Sequence, residues 1–201
     1  MNKLYEIMFR WRVIWYFIPY LVALTSVYSS SNVTPNIIIF LLGVSFSIIG
    51  QAIRLWAAGF VEKVARKNTV SFHTLITSGP YQYIRHPLYL GNILGMIGFG
   101  ISAAAFLAFP VNIEVILICT LLAASIFLLI LMHEEPMLLR LHGENYNQYS
   151  QKTPRLIPAF RVFIIKPTEN NFSLISAMKN ETHVIIFKIV LYVSLFTNLH
   201  N

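Results

Sequence analysis

Residues 88–109 read LYLGNILGMIGFGISAAAFLAF, Pro110 follows, and residues 111–132 read VNIEVILICTLLAASIFLLILM. At a rise of about 1.5 Å per residue each run reaches the roughly 30 Å of a bilayer's hydrocarbon core. A proline both ends and starts helices readily, so Pro110 marks a very short turn and the two runs form a tight antiparallel hairpin. That geometry decides what can meet. Arg85-His86-Pro87 leads into the hairpin and Glu134-Glu135 leaves it, so residues about fifty apart in sequence become neighbours at one face of the membrane.

Working outward, residues 13–28 and 37–60 form two earlier candidate spans. With 56% hydrophobic and 11% charged residues and a mean hydropathy of +0.64, the 201-residue chain falls outside the soluble globular class. The expected fold is all-α: a polytopic membrane bundle of four to five transmembrane helices with a cytoplasmic cofactor pocket. One domain is expected over 1–201, with a motif core at 54–158 and a membrane-associated extension at 160–201. Residues 184–199 are apolar apart from Lys188, Tyr192, Ser194, Thr197 and Asn198, and suit a fifth crossing or an interfacial helix from which Lys188 snorkels. Around His142-Gly143 the helix leaving the hairpin is expected to turn and resume as a short helix along the membrane, ended by Pro154 and Pro158.

The net charge of +7 comes from basic residues spread over several loops, with no block or stripe, which argues against nucleic acid as a partner. Topology accounts for them. Lys3, Arg10 and Arg12 precede the first span, Lys63, Arg66, Lys67 and Arg85 lie between the second and third, and Arg140, Lys152, Arg155, Arg161 and Lys166 follow the fourth. The positive-inside rule therefore puts the N-terminus, the middle loop and both motif strips on the cytoplasmic side. The first span follows a basic start but lacks an A-x-A-like site, and it reads as a retained span rather than a cleaved signal. Cys119, the single cysteine, sits in an apolar run and allows no intrachain disulfide. Gly91, Gly95, Gly98 and Gly100 follow no strand and read as a close-packing helix face, not a dinucleotide loop. Only Arg54 and Lys188 approach the ionisable midplane that a transporter needs, and no metal site is expected.

A cytoplasmic pocket with paired carboxylates, histidines, tyrosines and short backbone turns suits S-adenosylmethionine. A histidine or free backbone N–H can hold its carboxylate, a glutamate its ammonium and an aromatic face its sulfonium. His86 with the Ser78-Gly79 turn, Glu134, and Tyr81 or Tyr89 fit those tasks; an aromatic belt and interfacial anchors are the structural alternative for the same residues. Two acids at a helix C-terminus would also oppose the helix dipole, unless the helix continues past them.

His73-Thr74-Leu75-Ile76-Thr77-Ser78-Gly79-Pro80-Tyr81, then Arg85-His86-Pro87-Leu88-Tyr89-Leu90-Gly91, then Glu134-Glu135 with Gly143 and Tyr146 beyond, resembles the isoprenylcysteine carboxyl methyltransferases. It is also similar to the wider group that includes the phospholipid N-methyltransferases. The resemblance covers 54–158. It implies an integral-membrane enzyme that uses S-adenosylmethionine, with cofactor contacts at His73, Thr74, Leu75, Ile76, Tyr81, His86, Pro87, Leu88, Tyr89 and Glu134, and with Glu135 in reserve. The implied acceptor is lipophilic and arrives from the bilayer, among membrane lipids. Prenylcysteine enzymes tend to carry an arginine one turn before the equivalent of Glu134, where this chain has Ile130, so an acceptor carboxylate would have to meet Arg85, Arg140 or Arg155. Glu134-Glu135-Pro136 is closer to the phospholipid enzymes. Carboxyl methylation of an isoprenylcysteine-type substrate, phospholipid N-methylation and a non-catalytic membrane scaffold are thus the competing expectations.

Overall fold

The computed structural model describes residues 17–30, 33–61, 75–158 and 172–197, and these are helical with no strand among them. The helices are α1 (Phe17–Tyr28), α2 (Ile37–Ala58), α3 (Pro87–Ala104), α4 (Val111–Lys152) and α5 (Leu174–Thr197), with a 3-10 turn at Gly79–Gln82 before α3. α2 to α5 are each long and apolar enough to cross a membrane. The described part of α1 holds 12 residues, about 18 Å of helix. The expected polytopic helical membrane protein is what folds.

Helix ends follow local chemistry. Asn36 caps α2, its Oδ1 accepting the Ile38 and Ile39 N–H groups at 3.1 and 3.2 Å. Ser173 caps α5 through a 3.2 Å bond from Ser176 N–H to its Oγ. α5 therefore starts ten residues before the apolar run that the sequence displays, and at 24 residues it has the length of a crossing. α3 ends at Ala104, not at residue 109, and residues 105–110 complete the hairpin turn together. The turn is longer than a lone proline because Ala105, Phe106 and Leu107 N–H groups close onto the carbonyls of Ser102, Ala103 and Ala104.

α4 continues well past Glu134-Glu135, so the dipole argument against an acid pair at a helix end does not apply. The expected break near His142-Gly143 is a single residue wide: Gly143 adopts φ +51°, ψ −127°, and helix resumes after it to Lys152. A β-carbon would be strained at that φ, which is why glycine stands there.

The contacts divide the chain into two compact units. One gathers Met1–Gln51, Asn92–His133 and Val184–Asn201. In it Tyr20 lies edge-on to Phe99 and Phe187 at 5.2 and 5.4 Å, and Phe40 meets Phe106 and Tyr192. The glycine face does three separate jobs here. A β-carbon on Gly98 would fall 2.6 Å from the Gly43 carbonyl oxygen, one on Gly100 would fall 2.9 Å from Cys119 Cβ, and one on Gly95 would fall 3.0 Å from Lys188 Nζ. Lys188 does not snorkel outward; it is 9% exposed and donates to Gln51 Oε1 at 2.8 Å.

The other unit gathers Ala52–Gly91 and Glu134–His183, and it holds both motif strips. Its packing includes Phe60 against Phe172 and a bond from Ser173 N–H to the Gly59 carbonyl. Arg54 and Glu181 form a two-pronged ion pair in its interior, at 2.7 and 3.0 Å.

Candidate functional site

The leading strip is shaped by its own turn residues. Ser78, extended at φ −97° and ψ 164°, precedes the 3-10 turn, and Gly79 takes φ +61° with the Phe60 ring filling the space of a missing side chain. Pro80 sits in the first turn, where its absent N–H costs nothing. The chain then runs to Pro87, the first residue of α3. Two backbone bonds fix this passage: Arg85 N–H to the Pro154 carbonyl at 2.8 Å and His86 N–H to the Arg155 carbonyl at 3.2 Å.

α4 brings the acids to it. Glu135 is the hub: Arg85 Nη1 lies 2.9 Å from its Oε1, His86 Nε2 lies 3.4 Å from the same oxygen, and Arg155 places Nε and Nη2 each 2.8 Å from Oε2. Burial alone would raise the Glu135 pKa. The His86 hydrogen bond and the charges of Arg85, Arg155 and His86 outweigh it and bring the carboxyl below its ordinary value. Glu134, one residue earlier, behaves differently. Its Oε2 is buried without a hydrogen-bond partner and lies 3.9 Å from His86 Nδ1, so the imidazole, only 6% exposed, stands between the two carboxylates. The Tyr89 ring stacks on His86, centroids 5.7 Å apart and planes inclined by 22°.

Beyond the Gly143 kink, the last turns of α4 close over the strip. Tyr149 donates its hydroxyl to the Tyr81 carbonyl at 2.7 Å, and Arg85 Nη1 reaches the Tyr146 hydroxyl at 3.5 Å. Burial raises both phenol pKa values, so both hydroxyls keep their protons at neutral pH. Thr153, 1% exposed, also carries a buried hydroxyl oxygen without a partner.

Of the residues that the sequence singled out, His86, Tyr89, Arg85, Arg155 and Glu134 converge. Pro87 opens α3, the Tyr81 carbonyl is held by Tyr149, and the Leu88 carbonyl accepts Arg54 Nη1 at 3.3 Å. Leu75 and Ile76 lie half-buried just before the 3-10 turn. His73 and Thr74 lie outside the described residues. Sequence reasoning did not find the Glu135 hub, the Tyr149 clamp or the Arg54–Glu181 pair. The only signal for the last was the placing of an arginine at a span end and a glutamate in a mixed segment. Among the described residues no cluster of three or more His, Cys, Asp or Glu side chains could hold a metal ion.

An acid oxygen that is buried, unbonded and set beside an imidazole and an aromatic face is suited to a small cationic group. The unbonded Glu134 oxygen is an acceptor that suits an ammonium.

Comparison with known proteins agrees with this chemistry. The phospholipid methyltransferase family model matches residues 38–145. A cobalt-zinc-cadmium resistance protein of Cupriavidus metallidurans is 32% identical over 123 residues, 61% of this chain and 49% of that protein. A protein-S-isoprenylcysteine O-methyltransferase of Schizosaccharomyces pombe is 32% identical over 118 residues, 56% of this chain and 47% of that one. A methanethiol S-methyltransferase of Crocosphaera subtropica is 38% identical over 78 residues, 39% and 27% of the two chains. The chain spans about half the length of the first of these curated relatives. No solved structure matches.

Proposed function

The chain belongs to the phospholipid methyltransferase family, and from that premise we propose that it transfers a methyl group from S-adenosylmethionine to a lipophilic acceptor resident in the membrane. The observation that carries this reading is the contrast between two adjacent acids: Glu135 is engaged by Arg85, His86 and Arg155, while Glu134 keeps a buried oxygen unbonded beside His86.

S-adenosylmethionine, when bound, supplies an electrophilic methyl group on a sulfonium. Glu134 holds the ammonium, and Tyr89 and Tyr81 offer aromatic faces to the sulfonium. His86 faces the carboxylate, in company with the backbone at Leu75 and Ile76, and Pro87 and Leu88 complete the wall; the contacts expected at His73 and Thr74 lie outside the described residues. These residues need to align two reactants and exclude water, which in ideal systems lowers a barrier by roughly 7–11 kcal/mol. The distribution of basic residues over the loops supports a cytoplasmic position for this site and the N-terminus.

Carboxyl methylation of an isoprenylcysteine-type acceptor is the preferred reaction. A carboxylate acceptor is ionised already and needs no base, whereas a lipid amine must first lose a proton to a group such as His86, His133 or Glu135. Glu135, held ionised below its ordinary pKa, is a weak base. Arg85 and Arg155 are the guanidinium groups for the acceptor, and Arg155, with its side chain 64% exposed, has the more open surface. Phospholipid N-methylation is the second reading, favoured by the family match itself.

Isothermal titration of S-adenosylmethionine into the detergent-solubilised protein tests the site. E134Q and E134A are expected to weaken binding by roughly 10- to 100-fold, the loss of one charge-assisted contact. Equal affinity in a folded E134A protein sinks the assignment. Methyl transfer from labelled donor to a farnesylcysteine analogue, against phosphatidylethanolamine, separates the two acceptor classes.

A further inference from the structure

Glu181 lies on α5, beyond both motif strips and beyond the stretch that matches the family, yet its side chain is fully buried. Its partner shows where it acts. Arg54, 9% exposed near the end of α2, turns Nε and Nη2 onto the two Glu181 oxygens at 2.7 and 3.0 Å and sends Nη1 to the Leu88 carbonyl at 3.3 Å. One planar guanidinium thereby joins α5, α2 and the first turn of α3, which a point-charge ammonium could not do.

Stability alone is a poor account of this arrangement. A buried ion pair gives back in attraction roughly what it loses in desolvation, and apolar side chains of similar volume often hold the same elements as well. The place is also unfavourable for a cation, because Leu88 belongs to the first turn of a helix, where the helix dipole opposes positive charge. Glu181 offsets that charge, and what the pair supplies is a fixed position for the start of α3. The same start is held at His86, whose N–H bonds the Arg155 carbonyl at 3.2 Å and whose own carbonyl accepts the Tyr89 and Leu90 N–H groups at 3.1 Å each. Tyr89, the residue after Leu88, stacks on the His86 ring. Moving Leu88 therefore moves an aromatic face of the site.

We propose that Arg54 and Glu181 are positioning residues that hold the first turn of α3 so that the Tyr89 ring meets the sulfonium of the methyl donor, an inference that rests on the methyl-donor reading of the site. They act through Leu88 and Tyr89. Their loss therefore falls on the charged sulfur of the ligand more than on its other parts. S-adenosylmethionine carries that charge, whereas S-adenosylhomocysteine has the same amino-acid and adenosyl ends around a neutral sulfur.

The full-length protein in detergent is titrated calorimetrically with each of the two ligands. In R54M/E181M, which removes the charges together, S-adenosylmethionine is expected to bind about tenfold more weakly, the size of a sheltered cation–π contact, and S-adenosylhomocysteine to change by no more than about twofold. E134A should weaken both ligands, since the ammonium is common to them; an E134A protein that binds both as wild type does defeats the methyl-donor reading itself. With E134A behaving as expected, a folded R54M/E181M protein that keeps the wild-type ratio of the two affinities overturns the positioning role, whether both affinities stay or both fall together, because general loosening of the site does not distinguish the two sulfur atoms. Where the double variant fails to fold, R54K decides by the same ratio: it keeps the charge pair but not the fork that serves Glu181 and Leu88 at once.

Discussion

Arg54 Nε lies 2.7 Å from Glu181 Oε2 across 127 positions of sequence, and Glu181 is fully buried. A second prong joins Arg54 Nη2 to Oε1 at 3.0 Å, while Nη1 donates to the Leu88 carbonyl at 3.3 Å. This pair ties α5 to α2 and to the first turn of α3, which carries Leu88 and Tyr89 of the proposed methyl-donor site. Removing one partner leaves a buried charge, at a cost of about 3–5 kcal/mol, whereas replacing both by apolar side chains is often close to neutral. R54M is therefore expected to lower thermal stability in detergent sharply, and R54M/E181M to recover most of it. A double variant no more stable than R54M would show that the ion pair is not what connects these helices.

Glu135 gives the site a defined acid limit. Its carboxyl is held below the ordinary value of 4.5 in the folded protein, so the folded state binds a proton less readily than the unfolded chain. The stabilisation is fully present above the unfolded value and is lost as pH falls through the lowered folded value. Stability measured from pH 7 downward should fall in that acidic window in the wild-type protein and change less in E135Q. At neutral pH E135Q should cost about 2 kcal/mol, less than a wholly buried pair because Arg155 is largely exposed. Equal acid slopes in the two proteins would refute the hub.

The convergence of the two strips was legible because it needs only local signals: two apolar runs of bilayer length, a proline between them, and polar clusters at both outer ends. The resemblance singled out Glu134 and held Glu135 in reserve, but why the two acids differ was not legible. Glu134 and Glu135 are identical in type and adjacent, and their difference arises from helix phase, which turns one toward Arg85 and Arg155 and leaves the other with an unbonded oxygen. Arg54 and Glu181 are joined by tertiary packing alone, which no periodicity reports. Lys188 was read either as part of a fifth crossing or as reaching for the interface, because hydropathy cannot see Gln51 across the bundle. The glycines of α3 were read as one packing face; the structure gives that task to Gly98 and Gly100 and gives Gly95 to a lysine.

Gly98 and Gly43 meet backbone to backbone. A β-carbon on Gly43 would lie 2.4 Å from the Gly98 carbonyl oxygen, and one on Gly98 would lie 2.6 Å from the Gly43 oxygen and 2.7 Å from Ser47 N. Backbone cannot step aside as the end of a side chain can. G98A and G43A should each cost about 1–3 kcal/mol through overpacking, visible as a lower unfolding temperature in detergent. G143A should be destabilised for a different reason: no atom lies within 4 Å of the added carbon, and the cost is the φ of +51°. A G98A protein as stable as wild type would mean that α2 and α3 do not pack at this point.

Tyr149 closes the site over Tyr81 by a single bond of 2.7 Å to a backbone carbonyl, and it is 3% exposed. Y149F keeps the ring and removes the donor, so its stability loss should be about 1 kcal/mol. Its larger effect should fall on the donor site, because the Tyr81 carbonyl loses the contact that fixes the turn before His86; weaker S-adenosylmethionine binding with little change in the unfolding temperature is the expected pattern. Because burial raises the Tyr149 pKa, this bond persists as the solution becomes alkaline: the phenol keeps its proton where exposed tyrosines have lost theirs. Spectroscopic titration of phenolate absorbance checks this directly. The wild-type and Y149F curves should coincide through the ordinary tyrosine range near pH 10, and a missing phenolate in Y149F within that range would show that the Tyr149 hydroxyl is open to water and that the clamp is not closed.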